Sequence, residues 1–110
     1  MEIHMRRSLP NRRSAETFKF RFRAQRASYH VTLGYYPDDK LGEVFLSTNQ
    51  TGSESEAIAH DFATLISLLL QHGCSLETIH NTLTLDRDGT PATLAGTVTD
   101  LLIKNGCAQL

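Results

Sequence analysis

Tryptophan is absent from this 110-residue sequence, and cysteine, proline and aromatic side chains are scarce: two cysteines, three prolines, five phenylalanines and three tyrosines. Each shortage excludes something. Two cysteines without a C-x-x-C pair exclude a disulfide scaffold, a four-cysteine zinc site and a thioredoxin-type redox pair. No run approaches 18 apolar residues, which excludes a membrane-spanning helix. The first residues carry no apolar signal-peptide core, so the expected compartment is the cytoplasm, with Cys74 and Cys107 as reduced thiols. No G-x-S-x-G surrounds Ser53, Ser55 or Ser67, and no two carboxylates are spaced as a catalytic pair. The residues therefore do not describe a self-sufficient enzyme, and no cofactor is expected. What remains is one domain's length of chain, 40% apolar and 21% charged, enough for a single modest core.

The net charge of -1 conceals a division. Residues 1–36 hold eight basic and two acidic side chains, a balance of +6, whereas residues 37–110 hold three basic and ten acidic ones, a balance of −7. Such a split steers an anionic ligand to one end, pairs two copies head to tail, or neutralises itself within one molecule.

Residues 1–16 have no apolar period and read as a basic arm, ordered only by contact with something else. Arg6, Arg7, Arg12 and Arg13 flank its Leu9 and Pro10 and are the candidate partner-binding residues. Residues 17–106 read as one α+β domain. In residues 17–23 (TFKFRFR), Phe18, Phe20 and Phe22 alternate with Thr17, Lys19, Arg21 and Arg23, the pattern of a half-buried strand. Residues 28–36 alternate again, Tyr29, Val31, Leu33 and Tyr35 against His30 and Thr32. Turn-rich residues 37–42 lead to a third strand over 43–47. The spacing predicts an antiparallel three-stranded meander, covered on one face by two to three helices.

The first helix starts at Ser53, whose S-x-x-E spacing to Glu56 is a capping box, and stops at Gly73. Ile58, Phe62, Leu65 and Leu69 recur at helical spacing and are expected to face the core. Ser75 caps a short second helix, with Leu76, Ile79 and Leu83 facing inward. Asp86 to Gly89 is a turn, and Thr90-Pro91 supplies a cap and first-turn proline for a third helix ending near Lys104. A three-stranded sheet with two open edges, beside a helix too apolar for its neighbours to cover, predicts a homodimer.

One constellation suggests ligand chemistry. Thr51, Gly52 and Ser53 open a helix, where free N–H groups and the helix dipole favour an anion. Lys19, Arg21 and Arg23 project from one sheet face and, with His30 of the second strand, complete a candidate phosphate site. The same residues are equally those of an ordinary capped helix start, with Glu54 and Glu56 complementing the dipole. His72, Cys74 and His80 read as a helix end and junction rather than as metal ligands, and no metal is expected. His60 and Asp61, adjacent on a helix, are expected to diverge. The strand-one aromatics alternate away from the arginines, so they offer no stacking platform for nucleic acid.

From residue 17 to residue 83 the chain resembles the TSCPD domain found at the C-terminus of vitamin B12-dependent (class II) ribonucleotide reductases. The resemblance rests on residues 29–36, on Gly42-Glu43-Val44-Phe45, on Thr51-Gly52-Ser53, on residues 67–73 (SLLLQHG) and on Leu76-Glu77-Thr78-Ile79. The opening R-R-x-L-P-x-R-R-x-x-E-T-F and the Tyr36-Pro37-Asp38 turn are similar to short free-standing versions of that domain. The cysteine motif that names the domain is missing, since no cysteine precedes residue 74. The barrel, radical cysteines and cobalamin site of a reductase do not fit in this length. The resemblance thus implies a non-catalytic accessory or regulatory module that binds a nucleotide-like or phosphorylated ligand, or docks on a ribonucleotide reductase. Two other readings stand beside it. One is a sponge for signalling nucleotides, since the chain resembles the Thoeris anti-defence proteins of phages in scale; the other is a protein-interaction module using the basic arm.

Overall fold

The computed structural model describes residues 5–22, 28–50 and 52–106. The elements follow in the order β1 (Ala15–Arg21), β2 (Ser28–Tyr35), β3 (Leu41–Thr48), α1 (Glu54–Gln71), α2 (Leu76–Asn81) and α3 (Leu94–Lys104). The strands form one antiparallel sheet in the order β1-β2-β3, and the helices pack on one face of it. This is the expected α+β meander. Period two sorts the side chains onto the two faces. Phe18 lies opposite Val31, which lies opposite Leu46, and Glu16 opposite Leu33 opposite Val44. Val31, Leu33 and Val44 are buried there with Ile66, Leu76, Val98 and Leu102 from the helices. The other face carries Thr17, Lys19, Arg21, His30, Thr32, Phe45 and Ser47, and at its far end Gly34 and Glu43.

The burial of α1 departs from the expected stripe. Ala59, Ala63, Ile66, Leu70 and Gln71 are its buried residues, while Ile58, Leu65 and Leu69 are exposed. The reason is close approach. Two alanines let the helix axis settle against β3, and the bulkier stripe, about 100° round the helix, is left facing outward.

The same seating covers one sheet edge. Ser67 Oγ accepts the Val44 N–H at 2.9 Å and donates to the Val44 carbonyl at 3.1 Å, while Gln71 Nε2 donates to the Gly42 carbonyl at 3.0 Å. Side chains of α1 thus replace the missing fourth strand, a way to remove an aggregation-prone edge.

The third helix also begins later than expected. Its N-cap is Thr93, whose Oγ1 accepts the Gly96 N–H at 3.1 Å. Thr90 and Pro91 belong instead to a hairpin-like loop: Leu85 bridges Pro91, and the Asp86 and Ala92 N–H groups donate to Thr90 and Thr84 carbonyls. That pairing holds the chain extended up to Ala92 and postpones the helix.

The described part of the basic arm is folded onto the domain. The Arg7 N–H donates to the Gln71 carbonyl at 2.8 Å, and the Tyr36 hydroxyl donates to the Arg7 carbonyl at 2.7 Å. What orders these residues is the protein's own body, and β1 starts at Ala15, two residues before the expected strand. No described helix is long and apolar enough to cross a membrane.

Candidate functional site

Three groups of residues meet the sequence-predicted site differently. The first is the open sheet face. Register sets Lys19 beside His30 and His30 beside Ser47, with Arg21 beside Ser28. Neighbouring Cβ atoms in such a row lie about 5 Å apart, and Lys19 and Arg21, two positions apart on one strand, about 7 Å. The side chains of Lys19, Arg21 and His30 are exposed and hold no hydrogen bond or ion pair among the described residues. Phe45, 55% exposed, stands on the same face. Arg23 and Thr51 lie outside the described residues.

The second group is the start of α1. The Ser53 cap forms as expected, and the Glu56 carboxylate reaches one residue further back than a capping box requires: Ser53 Oγ accepts the Glu56 N–H, and Glu56 Oε1 accepts the Gly52 N–H, each at 3.2 Å. Ser53 Oγ also donates to the Gln50 carbonyl at 2.6 Å. A cavity of about 530 Å³ opens there, lined by Ser47, Gly52, Ser53, Glu56, His60 and Asp61 among others. Its charged walls are two carboxylates, and the Gly52 and Glu56 N–H groups are already taken. Ser47 links this cavity to the row containing His30 and Lys19. The structure thus brings Lys19, Arg21 and His30 together on one face and sets Gly52 and Ser53 beyond its far strand. His60 Nδ1 approaches Asp61 Oδ1 to 3.7 Å, closer than adjacency on a helix led us to expect, with both side chains widely exposed.

The third group is the arm. Arg13 grips Glu43 through both carboxylate oxygens, Nη2 to Oε1 at 3.0 Å and Nε to Oε2. The Glu43 hydrogen bond is the main influence holding the Arg13 guanidinium in its charged form, against a smaller opposing effect of burial and with help from the Glu43 charge. Glu43 is only 7% exposed. It fits because Gly34 lies beside it: a Cβ there would sit 2.7 Å from Glu43 Cγ. Arg7 stacks 3.8 Å over the Tyr36 ring and reaches Asp38 at 3.1 Å. Burial pushes the Tyr36 hydroxyl up, against the pull of the Arg7 and Arg6 charges. Burial also pushes the Asp38 carboxyl up, but the Lys40 N–H and Arg7 outweigh it and leave the carboxyl below its usual range. Arg6 Nε donates to Gln71 Oε1. Arg12 is exposed.

The remaining candidates serve the fold. His72 Nδ1 lies 2.8 Å from the Leu68 carbonyl at the end of α1. His80 Nδ1 lies 3.0 Å from Thr99 Oγ1, with Asp100 at 3.9 Å, tying α2 to α3. Among the described residues no three histidine, cysteine or carboxylate side chains gather as metal ligands.

Sequence reasoning missed the Arg13–Glu43 clamp and the edge contacts of Ser67 and Gln71. Glu43 left a signal, an acid inside an otherwise apolar strand. Ser67 and Gln71 left none, because they look like ordinary polar helix positions until the strand edge is in view.

The TSCPD domain family model matches residues 4–107. The chain is 34% identical over 76 residues to a protein named vitamin B12-dependent ribonucleotide reductase from Rhodopirellula baltica, a match covering 69% of this chain and 7% of that one. Proteins of the same name from Streptomyces clavuligerus and Streptantibioticus cattleyicolor are each 38% identical over 74 residues, covering 67% of this chain and 8% and 12% of theirs. The chain therefore spans about a tenth of the length of these relatives. No solved structure matches.

Proposed function

The chain belongs to the TSCPD domain family, and from that premise we propose that it is a non-catalytic module related to ribonucleotide reductase, binding a nucleotide-like or phosphorylated ligand on its open sheet face. Lys19, Arg21 and His30 are the residues we assign to the ligand. The observation that carries the reading is a contrast in pairing. Arg6, Arg7 and Arg13 are spent on the protein's own groups. Lys19 and Arg21 are held about 7 Å apart on the same face, with no acid of the described chain neutralising them. Like charges held side by side on a sheet are costly, and an anion removes the cost. Two cations beside a histidine, with an exposed phenylalanine nearby, match a phosphate joined to a planar base. The relatives are named for reduction of ribonucleotides, which makes a ribonucleotide the first ligand to try. We place the protein in the cytoplasm, where a free Cys74 stays reduced.

A panel of nucleoside phosphates and cyclic dinucleotides, read by thermal shift on the full chain, tests the proposal. Ligand at 100 times its Kd stabilises by about 2.7 kcal/mol, which raises Tm by roughly 10 °C in a chain of this size. Arg21→Ala and Lys19→Ala each abolish the shift and keep the fold. A panel without any shift, or a shift that survives both substitutions, overturns the assignment. A response confined to cyclic dinucleotides selects the signalling-nucleotide sponge over the reductase-related ligand.

A further inference from the structure

Among the described residues, the exposed flank of α1 is the largest apolar feature without a covering element. Leu65 is 61% exposed, Ile58 53% and Leu69 44%, whereas the other large exposed apolar side chains, Met5, Phe45 and Leu85, stand singly. Ile58, Phe62, Leu65 and Leu69 follow one another at intervals of four, three and four, the spacing of a coiled-coil seam. Beside this ridge, between α1 and α2, runs a groove of about 350 Å³ lined by Phe62, Leu65, Leu69, Cys74, Ile79 and Leu83 among others. The patch therefore carries a row of knobs and, adjacent to it, the hole to receive such a row.

We propose that a second copy of this chain occupies the groove, with the two α1 helices antiparallel about a two-fold axis between Phe62 and Leu65. A two-fold interface requires one surface to be complementary to itself, and a ridge alongside a matching groove meets that requirement. The axis sets Ile58 against the partner's Leu69 and Phe62 against the partner's Leu65. The four residues that straddle the axis, 62–65, carry no charge, so nothing ionic is buried at the centre, and the widely exposed Asp61 lies at its edge. At the ends, Glu54 comes level with the partner's His72, and the antiparallel helix dipoles oppose favourably. The area is that of a small interface. An 18-residue helix is about 27 Å long and about 10 Å wide, and the six-residue α2 widens that strip by about 10 Å over only about 9 Å of its length. That gives roughly 350 Å² per copy and about 700 Å² in total, the size of a weak, reversible contact.

Sedimentation equilibrium on the full chain tests the proposal. The expected wild-type species is a dimer, converted to monomer by Leu65→Asp with its thermal unfolding intact. The residue is mostly exposed, so the fold does not depend on it. Ile58→Glu, on the same ridge, repeats the test should Leu65→Asp unfold. The expected loss of association is at least 100-fold for either substitution. A wild-type protein that stays monomeric at 100-fold above micromolar concentration overturns the proposal, and so does a dimer that persists in both folded variants. Arg21→Ala, on the opposite side of the sheet, leaves the dimer unchanged, so the interface and the ligand assignment fail separately.

Discussion

The arm and the outer sheet face are both rich in cations, and they use them in opposite ways. In the arm, Arg13 is locked to a nearly buried Glu43 and Arg7 is sandwiched between Tyr36 and Asp38. On the sheet, Lys19 and Arg21 stand in solvent without an acid beside them. The residue types are the same and the sequence positions nearly adjoin. What differs is whether the opposite element supplies an acid at the right register. Positions 34 and 43 place a glycine and a glutamate together under the arm; positions 28, 30 and 47 offer Ser28, His30 and Ser47 to the sheet cations. A positive charge read from sequence is therefore structural or free according to whether the fold brings an acid within its reach.

The sharpest way to break the contrast is Gly34→Ala. Replacing a strand glycine normally gains about 0.5–1 kcal/mol by restricting the unfolded chain. Here the new methyl collides with the Glu43 carboxylate and lies 2.7 Å from its Cγ. Overpacking of this kind costs about 1–3 kcal/mol and decides the sign, a net loss that lowers Tm by roughly 5–10 °C. Glu43 is displaced, Arg13 loses its clamp, and the arm comes to resemble the sheet face in having unpaired cations. Limited trypsin digestion reads this directly, as faster cleavage after Arg12 and Arg13. An arm as resistant as in the unsubstituted protein means the Glu43 clamp does not hold it.

A milder release comes from pH. The folded Asp38 carboxyl titrates below its unfolded value, so its contribution is complete above the unfolded pKa, near 3.8, and fades as pH falls through the lower folded value. Asp38→Asn should lower Tm slightly at pH 6–7, and the gap from the unsubstituted protein should close below about pH 4. The pair is half exposed, which keeps the effect small. A gap that is constant between pH 7 and pH 3 shows that Arg7 is held by Tyr36 alone.

Legibility in the sequence followed the range of the interactions. Strand alternation at Phe18 and Phe20, the Ser53 and Ser75 caps and the meander order are local or period-two signals, and each emerged in the structure. The large apolar stripe expected to face inward on α1 faces outward, because small side chains rather than large ones set the seating of the helix. Ala59 and Ala63 are small, yet they are what brings α1 against β3, and the larger Leu65 and Leu69 are displaced outward. The start of α3 comes three residues later than Thr90-Pro91, which satisfies every local rule for a helix start. The bridge between Leu85 and Pro91 overrules those rules. For the candidate site, the sharing of one face by Lys19, Arg21 and His30 was legible. Which arginines have partners was not, since that depends on contacts such as Arg13 with Glu43, separated by 30 residues.

The smallest effect is the most discriminating. If the arm cations are structural and the sheet cations are kept for a ligand, substitution on the sheet should cost no stability. Lys19→Thr removes one of two like charges on neighbouring same-face positions and introduces a β-branched residue into a strand, two changes that each favour the folded sheet by a few tenths of a kcal/mol. The expected outcome is a Tm raised by about 1–3 °C, together with loss of the nucleotide-induced shift. A residue whose removal stabilises the fold is not retained for the fold, and this trade is the usual mark of a position held for binding. A fall in Tm of the size expected for Gly34→Ala would erase the distinction, because Lys19 would then be as structural as Arg13 and the open face would lose its claim to a ligand.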